Sequence, residues 1–172
     1  MARRLTFLSL SMAVFVSLLL SCASDPDYGE PDVEFEIGAT IAIFDFAIET
    51  DEELDPGLHD DVYRIFVEAV LEGGGLRPLE RKRLDVILEE QELSLSGAID
   101  EASAIRVGKL AGARYALLGT IRVSEGDAEI SCRVIDVETG VILFARTAEG
   151  YSDELVDIVY ELAGCVEDTF SD

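Results

Sequence analysis

Positive charge is scarce in this chain: 13 Lys and Arg stand against 36 Asp and Glu over 172 residues, a formal net charge of -23. So acidic a chain is repelled by phosphate backbones and by anionic lipid, which excludes nucleic acid as a partner and electrostatic adhesion as a route to a membrane. Histidine is scarcer still, His59 being the only one. It stands beside Asp60 at the start of an amphipathic segment, no serine or cysteine pairs with it as a nucleophile, and a zinc site lacks its other ligands. The expectation is a surface histidine. Cysteine is limited to Cys22, Cys132 and Cys165. Cys132 shares inward strand parity with Ile130 and Val134, and Cys165 lies on the apolar side of the last helix near Leu162 and Val166. Buried free thiols are expected, with a disulfide as the alternative that export permits. Asp51, Glu53 and Asp55 alternate like the opening of a calcium loop, but Pro56 stands where that loop needs glycine and Val62 where it needs glutamate, so a solvated acidic loop is expected. Nothing singles out a glycosidase pair among the 36 acids. No catalytic residue, cofactor or metal ligand is expected, and the chain reads as non-enzymatic.

Long apolar runs are also missing, save one. Met1-Ala2-Arg3-Arg4 is a positive lead, and Leu5 to Leu20 is an apolar run diluted by Thr6, Ser9, Ser11 and Ser17. It is short and serine-rich for a membrane span, which makes it an export signal. Its end, Leu19-Leu20-Ser21-Cys22, resembles a bacterial lipobox, in which the cysteine is acylated and becomes the first residue of the mature chain. Each buried acyl methylene contributes about 0.8 kcal/mol, so the acyl chains of Cys22 form a lasting anchor. Ala23 in place of aspartate resembles the outer-membrane sorting choice, which implies an outer-membrane lipoprotein facing the periplasm. Residues 1–21 are then a signal peptide, 22–38 the acylated cysteine with a short acidic tether, and 39–172 a soluble domain. The mature chain keeps 11 basic residues against 36 acids, a net -25. Disorder is not implied, because hydrophobic residues make up 49% of the chain and fall into periodic blocks.

Periodicity supplies the elements. Val33, Phe35 and Ile37 alternate as if the end of the tether joins a sheet edge. Thr40 to Phe46, "TIAIFDF", is apolar on both faces and reads as a central strand, followed by an acidic loop from Ala47 to Leu54. Asp55-Pro56 looks like an N-cap and first helical position, with Leu58, Val62, Ile65, Phe66, Ala69 and Val70 behind it at helical spacing. Gly73-Gly74-Gly75 follows a helix rather than a strand, so it reads as a C-cap and turn, not a phosphate cradle. Leu76 to Leu79 is a short strand. A helix from Glu80 to Glu92 buries Leu84, Ile87 and Leu88, and Ser94 to Gly97 breaks it. Asp100 caps a third helix that Gly112 closes. Strands Tyr115–Val123, Ala128–Val137 and Val141–Ala148, joined by tight turns, form an antiparallel meander. Ser152 is the expected cap of a last helix carrying Leu155, Val159, Leu162 and Val166. The fold class is α/β (α+β): a mixed sheet with packed helices in the order β-α-β-α-α-β-β-β-α.

One stretch runs against the charge of the rest. Arg77, Arg81, Lys82 and Arg83 crowd into seven positions, the last three at a helix start, where positive charge opposes the helix dipole. Two readings remain open: pairing with Glu80, Asp85 and the acidic surface, or contact with a partner or neighbouring subunit.

The same region carries a resemblance. Leu79-Glu80-Arg81 with Leu84, Leu88 and Glu90, then Ala111 with Tyr115, Leu118, Gly119 and Ile121, then Arg133, Val134, Thr139, Gly140, Ile142 and Leu143 follow in an order similar to the curli secretion lipoprotein family, CsgG. The resemblance spans residues 38 to 168 and implies a periplasmic domain that binds other envelope or secretion proteins and has the option of forming a homo-oligomer. It extends to the LpoB family of penicillin-binding-protein activators, the alternative function, and to the N-terminal domain of the TolB family. Channel-forming members of the CsgG family insert two membrane hairpins, one between the first two meander strands and one before the final helix. Here those places hold Ser124-Glu125-Gly126-Asp127 and Glu149-Gly150-Tyr151, and a membrane hairpin needs two strands of about 9–11 residues each. The sequence therefore implies the soluble domain without its pore. The LpoB family's long leash is also missing, since sixteen extended residues reach at most about 55 Å.

Overall fold

The computed structural model describes residues 35–93 and 99–171. Cys22, the signal, most of the tether and the break at Ser94–Gly97 lie outside the described residues. The elements are β1 (Ala39–Ile43), β2 (Ala47–Thr50), α1 (Leu58–Gly73), β3 (Leu76–Pro78), α2 (Arg81–Glu90), α3 (Glu101–Ala111), β4 (Tyr115–Ser124), β5 (Asp127–Asp136), β6 (Ile142–Tyr151), a 3-10 turn (Ser152–Glu154) and α4 (Leu155–Phe170). The sheet runs β3-β1-β4-β5-β6, with β2 also paired to β4. Strands β1, β2, β3 and β4 pair in parallel, while β4, β5 and β6 form the antiparallel meander. The expected fold class and element order hold, with one strand more.

That strand arises where "TIAIFDF" was expected to continue. Ile41, Ala42 and Ile43 are buried on both faces, as a central parallel strand requires. The next residues split between the faces of the sheet. Phe44 joins the core under α2 and α3. Phe46 joins the opposite core, its ring stacked 4.7 Å from Phe66. A Cβ at position 119 would collide with the Phe46 ring, so Gly119 makes room for that crossing. The chain then resumes pairing with β4 as β2, Ala47 opposite Thr120, in residues whose acidity suggested a loop.

Two cores flank the sheet. α1 and α4 cover one face, burying Val62, Phe66 and Val70 together with Val159, Leu162 and Val166. α2 and α3 cover the other, with Leu84, Leu88, Ala104 and Val107 over Phe44, Leu118 and Ile135. Each fully buried Leu or Phe contributes about 1.5–3 kcal/mol. Ile87 is only partly buried.

Helix starts divide into expected and displaced. Asp100 caps α3, accepting from Ser103 N at 3.0 Å, and Gly112 closes the helix at φ 69°. Asp55 does not cap α1: its Oδ1 accepts from Gly57 N at 2.7 Å, closing a local turn before the helix begins at Leu58. Ser152 is not a side-chain cap either; it opens the 3-10 turn that feeds α4. Gly74 at φ 74° is the expected C-cap of α1. Its neighbours answer to packing: a Cβ at Gly73 would stand 2.9 Å from the Glu167 carbonyl, and one at Gly75 would strike the Phe170 carbonyl. α1 and α4 thus run side by side in the same direction. Both end in acids, Glu72 on α1 and Glu167 with Asp168 on α4, with no basic residue in either last turn. Negative charge there opposes the helix dipole by about 0.3–1 kcal/mol per residue at low salt.

The meander is closed by short connections. Glu125 and Gly126, at φ 56° and 87°, form a two-residue hairpin turn of the primed kind. Gly150 stands within β6 opposite Ala128, so β6 passes straight into the 3-10 turn. At the other end Phe35 packs edge-on against Tyr115 and Phe170, at 5.4 and 4.6 Å between ring centroids. The alternation read there does not continue as a strand, and Ile37 is 71% exposed.

Candidate functional site

The basic stretch is divided by β3. Arg77 lies on that strand and donates from Nε to Gly38 O at 2.8 Å. It lines a cleft of about 480 Å³ with Lys109, Arg114, Glu36 and Glu138 at the end where β1 begins. Arg81 opens α2 beyond the other end of β1 and β3. The four cations grouped by sequence therefore do not form one patch.

Arg81 is the centre of a cluster drawn from three elements. Its guanidinium reaches Asp45 Oδ2 at 3.1 Å and Asp60 Oδ1 at 3.2 Å, and its Cζ lies 4.5 Å from the centroid of the Tyr63 ring. Asp45 comes from the crossing between β1 and β2, Asp60 and Tyr63 from the first turns of α1. The expected pairing with Glu80 and Asp85 is replaced by this one, because α1 brings its acids across to the start of α2. Burial raises the Asp45 carboxyl above its usual value, and Arg81 and His59 offset part of that rise. Burial likewise raises the Tyr63 hydroxyl against the pull of Arg81. His59 is half-buried rather than a surface residue, and its Nδ1 has no hydrogen-bond partner among the described residues. Lys82 and Arg83 are exposed and form no ion pair among the described residues. They are the part of the stretch free to meet another molecule.

The remaining expected groups fall elsewhere. Cys132 is buried and Cys165 partly so, and both are free. Burial pushes the Cys132 thiol up to about 12, with Cys165 close by adding to the rise. Asp51, Glu53 and Asp55 do not converge on one point: no group of three metal-ligating side chains occurs among the described residues. No helix among the described residues is long and apolar enough to cross a membrane.

The sequence reading missed the partners at both ends. Asp45 was counted within an apolar strand, although a lone acid in "TIAIFDF" is itself a signal of a paired charge. Asp136, 5% exposed, falls inside the strand read over Ala128–Val137 and drew no separate role there. It binds Arg114 Nη2 at 2.7 Å and accepts from the backbone N–H of Glu138 and Thr139, at 2.9 Å each. Burial would raise it, but those amides, the Thr139 hydroxyl and Arg114 together hold its carboxyl below the usual carboxylate value.

The family described as "Curli production assembly/transport component CsgG" matches residues 34–125, more than half of the chain. The chain belongs to the CsgG family. Its match takes in the β1–β2 crossing and the Arg81 cluster and ends at Glu125, within the first meander turn. Among solved structures it is similar to the LpoB C-terminal domain from Salmonella enterica, at 16% identity and a TM-score of 0.57, covering 69% of this chain and 86% of that one. It is similar to the LpoB C-terminal domain from Escherichia coli, at 16% identity and TM-score 0.55, over 82% of this chain and 96% of that one. Lipoprotein GNA1162 from Neisseria meningitidis is a third, at 13% identity and TM-score 0.54, over 74% and 96%. At these identities the likeness is one of fold. No curated protein matches. Family and fold support an envelope lipoprotein module of the CsgG type.

Proposed function

We propose that this CsgG-family chain is a non-enzymatic outer-membrane lipoprotein, anchored through Cys22 and facing the periplasm, whose domain binds other proteins in secretion or envelope assembly. The reading is carried by the family match together with the two short connections. Where channel-forming relatives insert membrane hairpins, this chain has the two-residue turn Glu125-Gly126 and an uninterrupted passage from β6 into Ser152. Lys82 and Arg83 are the contact that the basic stretch offers, while Arg77 and Arg81 are engaged within the domain.

The test is site-specific photocrosslinking of the full-length lipoprotein in intact cells, with the reactive side chain placed in turn at surface positions that include 83. Adducts with envelope proteins are expected. Absence of adducts at every position, or discrete conductance steps from the purified lipoprotein in a planar bilayer, overturns the reading. A second reading, activation of a penicillin-binding protein, is favoured by the fold shared with the LpoB domains. Stimulated glycan polymerisation by such an enzyme on addition of the lipoprotein would select it.

A further inference from the structure

The outer face of the α1–α4 pair is covered by nothing among the described residues, yet it carries large apolar side chains. Leu71 on α1 is 60% exposed, and Tyr160 and Val156 on α4 are 50% and 45% exposed. Val156, Tyr160 and Gly164 follow one another at four-residue spacing, so they form a single row along α4. A side chain at Gly164 would meet nothing within 4 Å, which leaves a notch in that row. The row lies beside α1, because Gly73 of α1 abuts the Glu167 carbonyl of α4.

The charge around this strip is of one sign. Asp61, Glu68 and Glu72 line the exposed side of α1, and Asp157, Glu161 and Asp168 that of α4, with Glu167 half-buried beside them. Arg64 is the one arginine or lysine on either helix, and it is held by Asp61 at 3.3 Å and Glu68 at 3.3 Å. Glu72, Glu167 and Asp168 stand where two parallel helices already present their negative ends, an arrangement that stability alone disfavours.

We propose that this face is a docking surface for a cationic segment of another protein, one that sets lysines or arginines around an apolar side chain. The proposal rests on the reading of the domain as a protein-binding module and adds the surface and the chemistry of its partner. Charge complementarity chooses the occupant: the acids and both helix ends favour cations, and the apolar strip receives what lies between them. A second copy of this chain brings a net charge of -23 to the same surface and is repelled.

The experiment uses the full-length lipoprotein in neutral detergent and, as probe, an amphipathic helical peptide of about 18 residues built from Lys and Leu. Three variants are compared by fluorescence anisotropy: Glu72→Gln/Glu167→Gln/Asp168→Asn, Leu71→Ser/Tyr160→Ser, and the control Glu89→Gln/Glu90→Gln/Glu92→Gln at the far end of α2. The first is expected to weaken binding about tenfold and the second about fivefold, while the control, with the same change in net charge, changes it less than about twofold. The first variant should also melt at or above the wild-type temperature, so its loss of binding is not a loss of fold. Equal weakening in the first variant and the control means attraction by bulk charge, and overturns the proposal. Unchanged binding in Leu71→Ser/Tyr160→Ser overturns it too, as does self-association of the wild type that the same substitutions abolish. Photocrosslinks from position 83 but none from position 71 or 160 would sink this surface while leaving the protein-binding reading intact.

Discussion

Two aspartates, Asp136 buried and Asp45 partly so, stand one at each end of the parallel strands and are each held by an arginine, yet folding shifts their pKa values in opposite directions. Asp45 meets Arg81 at 3.1 Å and has its pKa raised by burial. Asp136 meets Arg114 at 2.7 Å, is less exposed, and has its pKa lowered. The difference is not the arginine. Both arginines are shared, Arg81 with Asp60 and Arg114 with Glu138 and Glu36, but Asp136 also accepts two backbone N–H groups, from Glu138 and Thr139, and no such amide is recorded for Asp45 among the described residues. Amides fixed by a turn stabilise a carboxylate without bringing a competing charge, and with them Asp136 overcomes the desolvation that a shared arginine alone does not overcome at Asp45. The Asp136 end is built for permanence, the Asp45 end for a charge held less firmly.

The sharpest way to break the comparison is to remove each carboxylate. Asp136→Ala leaves the turn amides and Arg114 without their shared acceptor, and a loss of about 3 kcal/mol in unfolding free energy is expected from urea titration. Gly119→Ala, which drives a methyl into the Phe46 ring beside the Asp45 crossing, should cost about 1–3 kcal/mol by the same measurement. Asp45→Asn should cost about 1 kcal/mol or less at neutral pH, because Arg81 keeps Asp60.

Acidity separates the two carboxylates by sign. Asp136, lowered on folding, contributes stability above the usual carboxylate value of 3.8 and loses it as pH falls through its folded value. Asp45, raised on folding, contributes most below 3.8 and loses that contribution as pH rises through its folded value. The gap between wild type and Asp136→Ala should therefore narrow on acidification. The stability of wild type relative to Asp45→Asn should instead improve. Parallel pH titrations of the urea midpoint check both, and movement in the same direction would end the contrast. Within the basic stretch Arg81→Gln should cost about 1 kcal/mol, and the smallest effect belongs to Lys82→Gln/Arg83→Gln, which should fall within about 0.5 kcal/mol of wild type in thermal unfolding.

Much of the fold was legible because periodicity records which face of an element is buried. Val62, Phe66 and Val70 on α1 and the alternation of Ile130, Cys132 and Val134 on β5 needed no structure to be read. The cap at Asp100 and the turn at Glu125-Gly126 are equally local, since each depends on atoms within three residues. The break at Phe44–Phe46 was not legible: it depends on Gly119, more than seventy positions away, giving the Phe46 ring a place to lie.

The candidate site divides along the same line. That a run of cations stands in an acidic chain is a fact of sequence, and so is the stretch Leu19-Leu20-Ser21-Cys22 that resembles a lipobox. Which cation is spoken for is not. The short strand β3 sends Arg77 toward Gly38 and Arg81 toward Asp45, and only α1 lying alongside supplies Asp60 and Tyr63. The sequence by itself determined the elements, their buried faces and the sign of the charge, because these follow from interactions between near neighbours. Tertiary structure alone decided which charges are neutralised and which stay exposed, because an ion pair forms between side chains that the fold, not the chain, makes adjacent.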